Sequence, residues 1–326
     1  MKRLDSTSLE IDCAKAAAEI AEWLRTQIGR TLHRRGAVVG VSGGVDSAVC
    51  TALAVQALGR DRVLGLLMPE QDSPAEDTAR GQQVCDTFGI PRIVEDITPV
   101  LDALGCYRRR DTAIRELFPE FGAGWRCKIS LAEGLLEADR VNYFNLTVQS
   151  PAGVQDRKRM PLPVYLGVVA ATNMKQRTRK LLDYHHAERL NYAVIGTPNR
   201  LEYELGFFVR GGDGLADVKP IAHLYKTQVY ALARHLGVPA EICRRTPETG
   251  TYSLPQTQEE FFFGLPIEQL DLLLYAFLHE VPASQAAAEL GLTEDQVQRA
   301  YRDVAAKRQQ AEQLHRAALV AFGAGS

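Results

Sequence analysis

A glycine-rich loop between a predicted strand and a predicted helix constrains the fold of this chain more than any other feature. Residues 37–41 are apolar and rich in β-branched side chains, which predicts a buried strand, and residues 46–58 predict a helix. The loop between them reads Ser42, Gly43, Gly44, Val45, Asp46 and Ser47. Because glycine lets the backbone approach a ligand closely, and N–H groups at a helix N-terminus attract anions, the loop predicts a phosphate site at the carboxyl end of a strand.

The rest of the chain continues the alternation of strands and helices. Further strands are predicted at residues 63–68, 91–97 and 192–196, and further helices at 8–28, 75–88 and 164–187. This order predicts an α/β fold, a doubly wound parallel sheet with helices on both faces. Beyond residue 265 the pattern becomes helical, at 267–278, 284–290 and 294–320. We therefore expect one domain over residues 1–326, with a helical C-terminal appendage at about 266–320.

Composition argues against several classes of protein. The chain is 46% hydrophobic and 24% charged, and its formal net charge of -2 argues against nucleic acid as a partner. No stretch approaches the roughly 18 apolar residues of a membrane span, and the N-terminus lacks the apolar core of a signal peptide. The six cysteines are scattered without a C-x-x-C pair, which favours reduced thiols over a metal site. We expect a cytoplasmic enzyme with no nucleic-acid or membrane partner.

Asp46 is the unusual member of the loop. A carboxylate repels phosphate unless a divalent cation lies between them, so Asp46 is predicted to bind Mg²⁺. The loop also lacks the lysine of the G-x-x-x-x-G-K-[ST] phosphate loop. Its S-G-G-x-D-S pattern resembles the pyrophosphate loop of the N-type ATP pyrophosphatases, which have an adenine nucleotide alpha hydrolase-like fold. The resemblance implies that ATP is cut between its α and β phosphates and that an adenylated intermediate forms.

Four segments in the second half of the chain resemble motifs of the ammonia-dependent NAD synthetases. Residues 173–179 resemble N-x-K-A-R-x-R, residues 195–202 resemble G-T-…-E, residues 206–214 resemble G-F/Y-F-T-K-Y-G-D-G, and residues 220–229 resemble P-I-x-x-L-x-K-T-Q-V. The resemblance implies that ATP with Mg²⁺ adenylates the carboxylate of nicotinic acid adenine dinucleotide (deamido-NAD). Ammonia then gives NAD⁺, with release of AMP and pyrophosphate.

The resemblance also implies how the chain assembles and obtains nitrogen. Members of the family form homodimers whose interface builds part of the dinucleotide site. The loop begins too soon after the first helix to leave room for an attached amidase domain. We therefore expect the ammonia to be free or to come from a separate partner.

The same resemblance implies the site residues. ATP binding is expected at residues 42–47 and at Met68, Thr197, Lys226 and Thr249. The expected ligands of Mg²⁺ are Asp46 and Glu202, and the expected catalytic residues are Asp213, Lys226 and Arg177. From the residues alone, Lys226 at a helix start also fits a surface ion pair, and Arg179 and Lys180 fit a solvated helix face.

The chain departs from the family pattern in three regions, one of which is the basic K-R-x-x-P ending, replaced here at residues 307–310 by a continuing helical pattern. The usual K-x-P-T/S-A segment is replaced at residues 245–251, which leaves Thr249 on the phosphate side, and the following acidic pair leaves Glu259. The connection at about 105–162 is far longer than usual, and we expect an irregular insertion that its aromatic residues partly order. Its basic clusters at 108–110 and 157–159 either meet substrate phosphates or are solvated, and both interpretations stay open.

Other functions also stay open at this point. A related ATP pyrophosphatase could amidate a different carboxylate, which the departures favour. A tRNA-thiolating enzyme usually needs paired cysteines, and these are missing. A regulator that reads DNA through residues 284–297 would meet the phosphate backbone with Glu294 and Asp295, which are poorly suited to it.

Overall fold

The centre of the fold is a four-stranded parallel sheet. The computed structural model describes residue 4 and residues 7–131, 143–248 and 250–321. The strand order is β3-β2-β1-β7, and every neighbouring pair is parallel. The strands are β1 (Ala37–Gly40), β2 (Val63–Leu67), β3 (Arg92–Val94) and β7 (Ala193–Ile195). Ala37 lies opposite both Val63 and Ala193, so the carboxyl ends of three strands meet at one edge.

Helices cover both faces of this sheet. In the described residues the α-helices are α1 (Cys13–Thr26), α2 (Val45–Leu58), α3 (Ala75–Phe88), α4 (Thr98–Ala103), α5 (Cys106–Arg115), α6 (Leu162–Leu190), α7 (Arg200–Leu205), α8 (Lys226–His235), α9 (Ala240–Arg244), α10 (Ile267–Leu278), α11 (Ala283–Leu290) and α12 (Glu294–His315). Val39 of β1 packs in a cluster with α1, α2 and α8, whereas its neighbour Val38 packs with α6 on the opposite face. Because successive side chains of a strand point to opposite faces, this arrangement confirms the predicted doubly wound α/β fold.

The last three helices form a second apolar cluster. Helices α10, α11 and α12 pack around Leu273, Leu274 and Val297, and Leu201 and Leu205 of α7 join them. The bounds of α10 agree with the predicted helix at 267–278, whereas α12 ends at His315 and not at 320. Among the described residues, no helix combines the length and the apolar character that crossing a membrane requires.

The described residues of the stretch 105–162 do not form an irregular connection; residues 132–142 lie outside the described part of the chain. Helix α5 opens the stretch, and an antiparallel sheet follows with strands β4 (Arg126–Leu131), β5 (Phe144–Gln149) and β6 (Gln155–Arg159) in the order β4-β5-β6. The side chains of Cys127 and Ile129 of β4 and of Leu146 and Val148 of β5 are buried in one cluster with Phe118, Phe121 and Val164. The expectation of irregular structure was wrong because every residue of β6 is polar and exposed, so this strand has no apolar alternation to reveal it.

Candidate active site

A cavity of about 480 Å³ lies at the carboxyl edge of the parallel sheet. Residues at the ends of β1, β2 and β7 line it, together with the loop before α2 and one side of α6. Its size lies within the range of roughly 300–1,000 Å³ that is usual for small-molecule sites. Its position is the one where open α/β sheets bind ligands. The cavity is therefore the candidate active site.

The glycine-rich loop is built tightly at one end of this cavity. Gly43 has a φ of 80°, and a Cβ atom there would lie 2.5 Å from the carbonyl oxygen of Asp77, so the position requires glycine. The hydroxyls of Ser42 and Ser47 lie 3.2 Å apart, and Ser47 Oγ donates to the carbonyl oxygen of Gly44 at 3.0 Å. Because α2 begins directly after Gly44, the free N–H groups of its first turn face the cavity end of the loop.

Lys226 comes to the loop from the start of α8. Its side chain is 1% exposed, and its Nζ contacts Oδ2 of Asp46 in an ion pair. Burial alone would lower the pKa of Lys226, but the carboxylates of Asp46 and Glu202 raise it, so the lysine stays charged. The alternative of a surface ion pair at a helix start is therefore wrong, because the pair is buried inside the candidate site.

Glu202 lies beside this ion pair in the first turn of α7. Burial and the negative charge of Asp46 raise the pKa of Glu202 to about 8. Its Oε2 accepts from the backbone N–H of Asn199 at 3.0 Å, and Asn199 Nδ2 donates to Oδ1 of Asp46 at 3.3 Å. Two carboxyl groups beside one ammonium offer the hard oxygen donors that Mg²⁺ prefers. The residues present therefore fit a divalent cation.

Sequence reasoning missed two amide side chains in this cluster. Asn199 caps α7, and the N-x-x-E spacing to Glu202 was an available signal for a capping box. Gln258 Nε2 donates to Oε1 of Glu202 at 3.1 Å. No local pattern could have revealed Gln258, because it reaches the site from a segment remote in sequence.

Asp213, Thr197 and Met68 also line the cavity. Oδ1 of Asp213 accepts from the backbone N–H of Val209 at 2.7 Å, which holds the carboxylate in its turn. Burial raises the pKa of Asp213, although this hydrogen bond opposes the rise. A carboxylate with a raised pKa is better suited to accept a proton near neutral pH than an exposed one.

The sequence pattern predicts that Arg179 and Lys180 of α6 lie on a solvated helix face, but both line the cavity. Arg179 Nε donates to the carbonyl oxygen of Met68 at 3.2 Å, and Lys180 pairs with Asp183 at 2.9 Å. Lys180 and Asp183 are both buried, and all three side chains line the cavity. The interpretation of Arg179 and Lys180 as solvated was wrong, since a helix that passes under the cavity turns this face inward.

The structure does not bring every predicted residue to the cavity. Arg177 is exposed, donates through Nε to the carbonyl oxygen of Arg210 at 3.2 Å, and is not on the described cavity wall. Glu259 accepts from the backbone N–H of Ile267 at 2.9 Å, so it caps α10 and does not line the cavity. Thr249 lies outside the described residues.

Lys175 joins two walls of the cavity from a fully buried position. Its Nζ donates to Oε1 of Glu70 at 3.0 Å, to Oδ2 of Asp72 at 2.6 Å and to the carbonyl oxygen of Thr251 at 2.9 Å. Burial would raise the pKa of Asp72, but Lys175 and Arg110 outweigh that effect and lower it. These contacts connect the loop after β2 to the segment that carries Thr251.

The basic clusters of the long connection do not meet the cavity. Arg110 is buried in ion pairs with Asp72 and Asp111, whereas Arg108 and Arg109 are exposed. Lys158 packs over the ring of Phe118. Within the described part of the chain, no residue of 108–110 or 157–159 lines the cavity. The structure thus gives no support to the interpretation that these residues meet substrate phosphates.

The sequence matches a known family and its curated members. The family model described as NAD synthase matches residues 16–117 and 142–313. The chain is 56% identical over 308 residues to the NH(3)-dependent NAD(+) synthetase of Rhizobium meliloti. The aligned residues cover 94% of this chain and 92% of that protein. The chain is 38% identical over 240 residues to the protein of the same name from Thermotoga neapolitana, covering 74% of this chain and 77% of that protein.

Solved structures with the same fold accompany these relatives. The NMN synthetase from Francisella tularensis superposes with a TM-score of 0.66 at 22% identity, covering 96% of this chain and 100% of that chain. The NH3-dependent NAD synthetase from Campylobacter jejuni in complex with the nitrate ion gives a TM-score of 0.61 at 20% identity, covering 95% of this chain and 100% of that chain. At these identities the superpositions support the fold alone.

Proposed function

The chain belongs to the NAD synthase family, and from that premise we propose that it catalyses the ATP-dependent amidation of deamido-NAD to NAD⁺. The enzyme is an ammonia-dependent ligase that forms a C–N bond. The carboxylate of deamido-NAD attacks the α-phosphorus of ATP, and pyrophosphate leaves. Ammonia then attacks the carbonyl carbon of the acyl-adenylate, and AMP leaves. The relatives named above do not favour a different carboxylate as the acceptor.

The observation that carries this proposal is the buried ion pair of Lys226 and Asp46 beside Glu202. It lies where the glycine-rich loop passes into α2, so cationic and anionic groups flank the place expected for the phosphates. A charged ammonium that is already desolvated and positioned stabilises negative charge on phosphate oxygens more effectively than a solvated one. The loop has no lysine of its own, and Lys226 supplies the missing positive charge from α8.

The residues of the candidate active site have different tasks in this proposal. The backbone N–H groups of residues 42–47 bind the phosphates, and the hydroxyls of Ser42 and Ser47 add donors. Asp46 and Glu202 would hold Mg²⁺, which when bound would neutralise charge on the departing pyrophosphate. Asp213 accepts the proton that the attacking nitrogen loses, which its raised pKa favours. Most of the rate comes from positioning and neutralisation of charge and not from covalent chemistry of the protein.

The assembly and the location of the enzyme are further parts of the proposal. We expect a homodimer, which the exposed leucines Leu162 and Leu166 on one face of α6 support, because exposed apolar side chains four residues apart suit a helix interface. We expect free ammonia, or ammonia from a separate partner, and a cytoplasmic location.

A product assay tests this proposal. The enzyme is incubated with ATP, Mg²⁺, deamido-NAD and ammonium, and AMP, pyrophosphate and NAD⁺ are measured together. We expect the three products in equal amounts and only a trace of NAD⁺ when glutamine replaces ammonium. ADP as the main nucleotide product, or AMP release without NAD⁺, would contradict the proposal.

A further inference from the structure

One wall of the cavity is a segment with little regular structure. Residues 250–262, here called the wall segment, contain only part of a five-residue π-helical turn (Glu259–Phe263). Six residues of the wall segment line the cavity: Gly250, Thr251, Tyr252, Gln258, Phe261 and Phe262. Through Gln258 the wall segment also contacts Glu202, one of the two proposed ligands of Mg²⁺. The conformation of the wall segment therefore determines part of the ATP site.

Several successive residues of strand β4 contact the wall segment. The backbone N–H of Cys127 donates to Oγ of Ser253 at 2.9 Å, and the N–H of Leu254 donates to the carbonyl oxygen of Cys127 at 3.1 Å. Farther along, Gln256 Nε2 donates to the carbonyl oxygen of Ile129. Lys128 Nζ pairs with Oε1 of Glu260 at 2.7 Å. These bonds follow the strand residue by residue, so they specify one register of the wall segment on β4.

Apolar packing and a buried lysine add to these bonds. Tyr252 and Phe261 of the wall segment pack in the same cluster as Cys127 and Ile129 of β4. Lys175 donates to the carbonyl oxygen of Thr251 at 2.9 Å from the opposite side. The wall segment is thus fixed between α6 and the antiparallel sheet.

Strand β4 lies outside the part of the chain that the family model matches. The matched residues stop at 117 and resume at 142, so Arg126–Leu131 falls in the unmatched stretch. The wall segment itself lies inside the matched residues. The family model therefore covers this wall of the site but not the strand that contacts it.

We propose that β4 stabilises the wall segment in its ATP-binding conformation before ATP arrives, so that little ordering is required during binding. A loop that is ordered only on binding loses conformational freedom at that moment, and a loop that is already ordered does not, which increases affinity for the ligand. Through Gln258, the same contacts keep the side chain of Glu202 oriented at the proposed metal site. The proposal rests on the proposed function, since it assigns the cavity to ATP.

Charge reversal at the Lys128–Glu260 pair tests the proposal with substitutions that lie outside the cavity. Neither residue lines the cavity, and their side chains are 22% and 36% exposed, so the substitutions leave the core intact. Lys128→Glu and Glu260→Lys should each raise KM for ATP about two- to fivefold, because each places like charges opposite one another. The double variant Lys128→Glu/Glu260→Lys restores the attraction and should return KM to within about twofold of the parent value.

Ser253→Ala gives a larger effect and has a matched control. It removes the bond from the N–H of Cys127 and should raise KM for ATP about three- to tenfold, with kcat at saturating ATP changed less than twofold. Gln149→Ala is the control, because it removes a side-chain bond to Gly153 within the same antiparallel sheet and leaves the bonds of Cys127, Lys128 and Ile129 to the wall segment in place. This control should leave both constants unchanged.

Hydrogen–deuterium exchange without nucleotide tests the same proposal independently of activity. The amides of Leu254, Gln256, Thr257 and Gln258 should exchange slowly in the parent protein and several-fold faster in Ser253→Ala, and saturating MgATP should remove that difference. A parent enzyme that makes NAD⁺, with unchanged KM and unchanged exchange in all variants, would overturn the proposal. A fall in kcat with no change in KM would also overturn it. If the parent made no NAD⁺, the proposed function would fail, and the exchange data alone would still decide whether β4 orders the wall segment.

Discussion

The four-stranded parallel sheet and the three-stranded antiparallel sheet contribute to the cavity in different ways. Strands β1, β2 and β7 end at the cavity, and the residues that follow them supply the glycine-rich loop, Met68 and Thr197. None of the described residues of β4, β5 and β6 lines the cavity. Instead, β4 contacts the wall segment, and the wall segment lines the cavity in its place.

The parallel sheet supplies chemical groups to the cavity, whereas β4 only positions the wall segment that lines it. Substitution of a residue that touches the reacting atoms should lower kcat, since the interaction is made in the transition state. Substitution of a residue that only orders a wall should raise KM and leave kcat nearly unchanged, because saturating substrate restores the ordered state. The two sheets should therefore be distinguishable by kinetics alone.

The largest effect is expected from substitution of Lys175, which bonds both to the loop after β2 and to the wall segment. Lys175→Met leaves Glu70 and Asp72 buried with one cation fewer, and loss of one partner of a buried pair costs about 3–5 kcal/mol. Urea-induced unfolding of the variant should show that loss in the free energy of unfolding. Tyr107→Phe is a graded comparison, because it removes only the bond from the Tyr107 hydroxyl to Glu70 and should cost about 1–2 kcal/mol. Equal losses in the two variants would show that Lys175 has no special part in joining the walls.

The next largest effect, a fall in kcat, is expected from substitution of Glu202 at the carboxyl edge of the parallel sheet. Glu202→Gln replaces a hard anionic oxygen by an amide and should lower kcat on the order of 10²- to 10³-fold at saturating Mg²⁺. The fold should persist, because burial already raises the pKa of Glu202 and a neutral side chain is tolerated there. Glu204→Gln on the same helix is the matched control, since Glu204 pairs with Arg308 away from the cavity, and its kcat should change less than twofold. A kcat near the parent value in Glu202→Gln would remove Glu202 from the metal site.

A smaller effect concerns the anchor of the Lys226 helix, at Asp271. Its side chain accepts from the backbone N–H groups of Lys226 at 3.2 Å and Thr227 at 2.7 Å, and burial raises its pKa to about 6. Since the folded protein then binds this proton more tightly than the unfolded chain, the free energy of unfolding should fall by about 2 kcal/mol between pH 4 and pH 6 through this group. Asp271→Asn should remove this part of the slope in unfolding measured at several pH values. An identical slope in the variant would show that the pKa of Asp271 is not raised.

The smallest effect is expected on the exposed strand β6. Lys158 and Arg159 contact Leu117, Phe118 and Tyr143, and the cavity lies elsewhere. The double variant Lys158→Met/Arg159→Met should leave KM for ATP and KM for deamido-NAD within about twofold of the parent values. A several-fold rise in KM for deamido-NAD alone would mean that this strand meets the phosphates of the acceptor after all.

Much of the parallel sheet and its loop could be predicted because the signals there are local. The helix at 75–88 and the helix at 267–278 have the predicted bounds, since apolar periodicity and flanking turn residues determine them within a few positions. The placement of Asp46, Glu202 and Lys226 in one cluster follows from motif positions at the ends of strands and the start of a helix. Family resemblance supplied that link, which residue patterns alone did not.

The remaining features depend on contacts between distant parts of the chain. Lys175 and Lys180 look like surface residues in sequence, and they are buried because carboxylates from elsewhere compensate their charge. Gln258 meets Glu202 from a segment 56 residues away along the chain. Strand β6 is polar at every position, so only pairing with β5 reveals it. Local propensity has no access to such partners.

If the reaction passes through an acyl-adenylate in this cavity, an oxygen atom of the acceptor carboxylate must be transferred to AMP. Deamido-NAD labelled with ¹⁸O in both carboxylate oxygens is converted with unlabelled ATP, Mg²⁺ and ammonium, and the products are analysed by mass spectrometry. Because the attacking oxygen stays on the α-phosphorus when ammonia releases AMP, one ¹⁸O should appear in AMP and one in the amide of NAD⁺. Label in inorganic phosphate together with ADP, or AMP without label, would contradict the account.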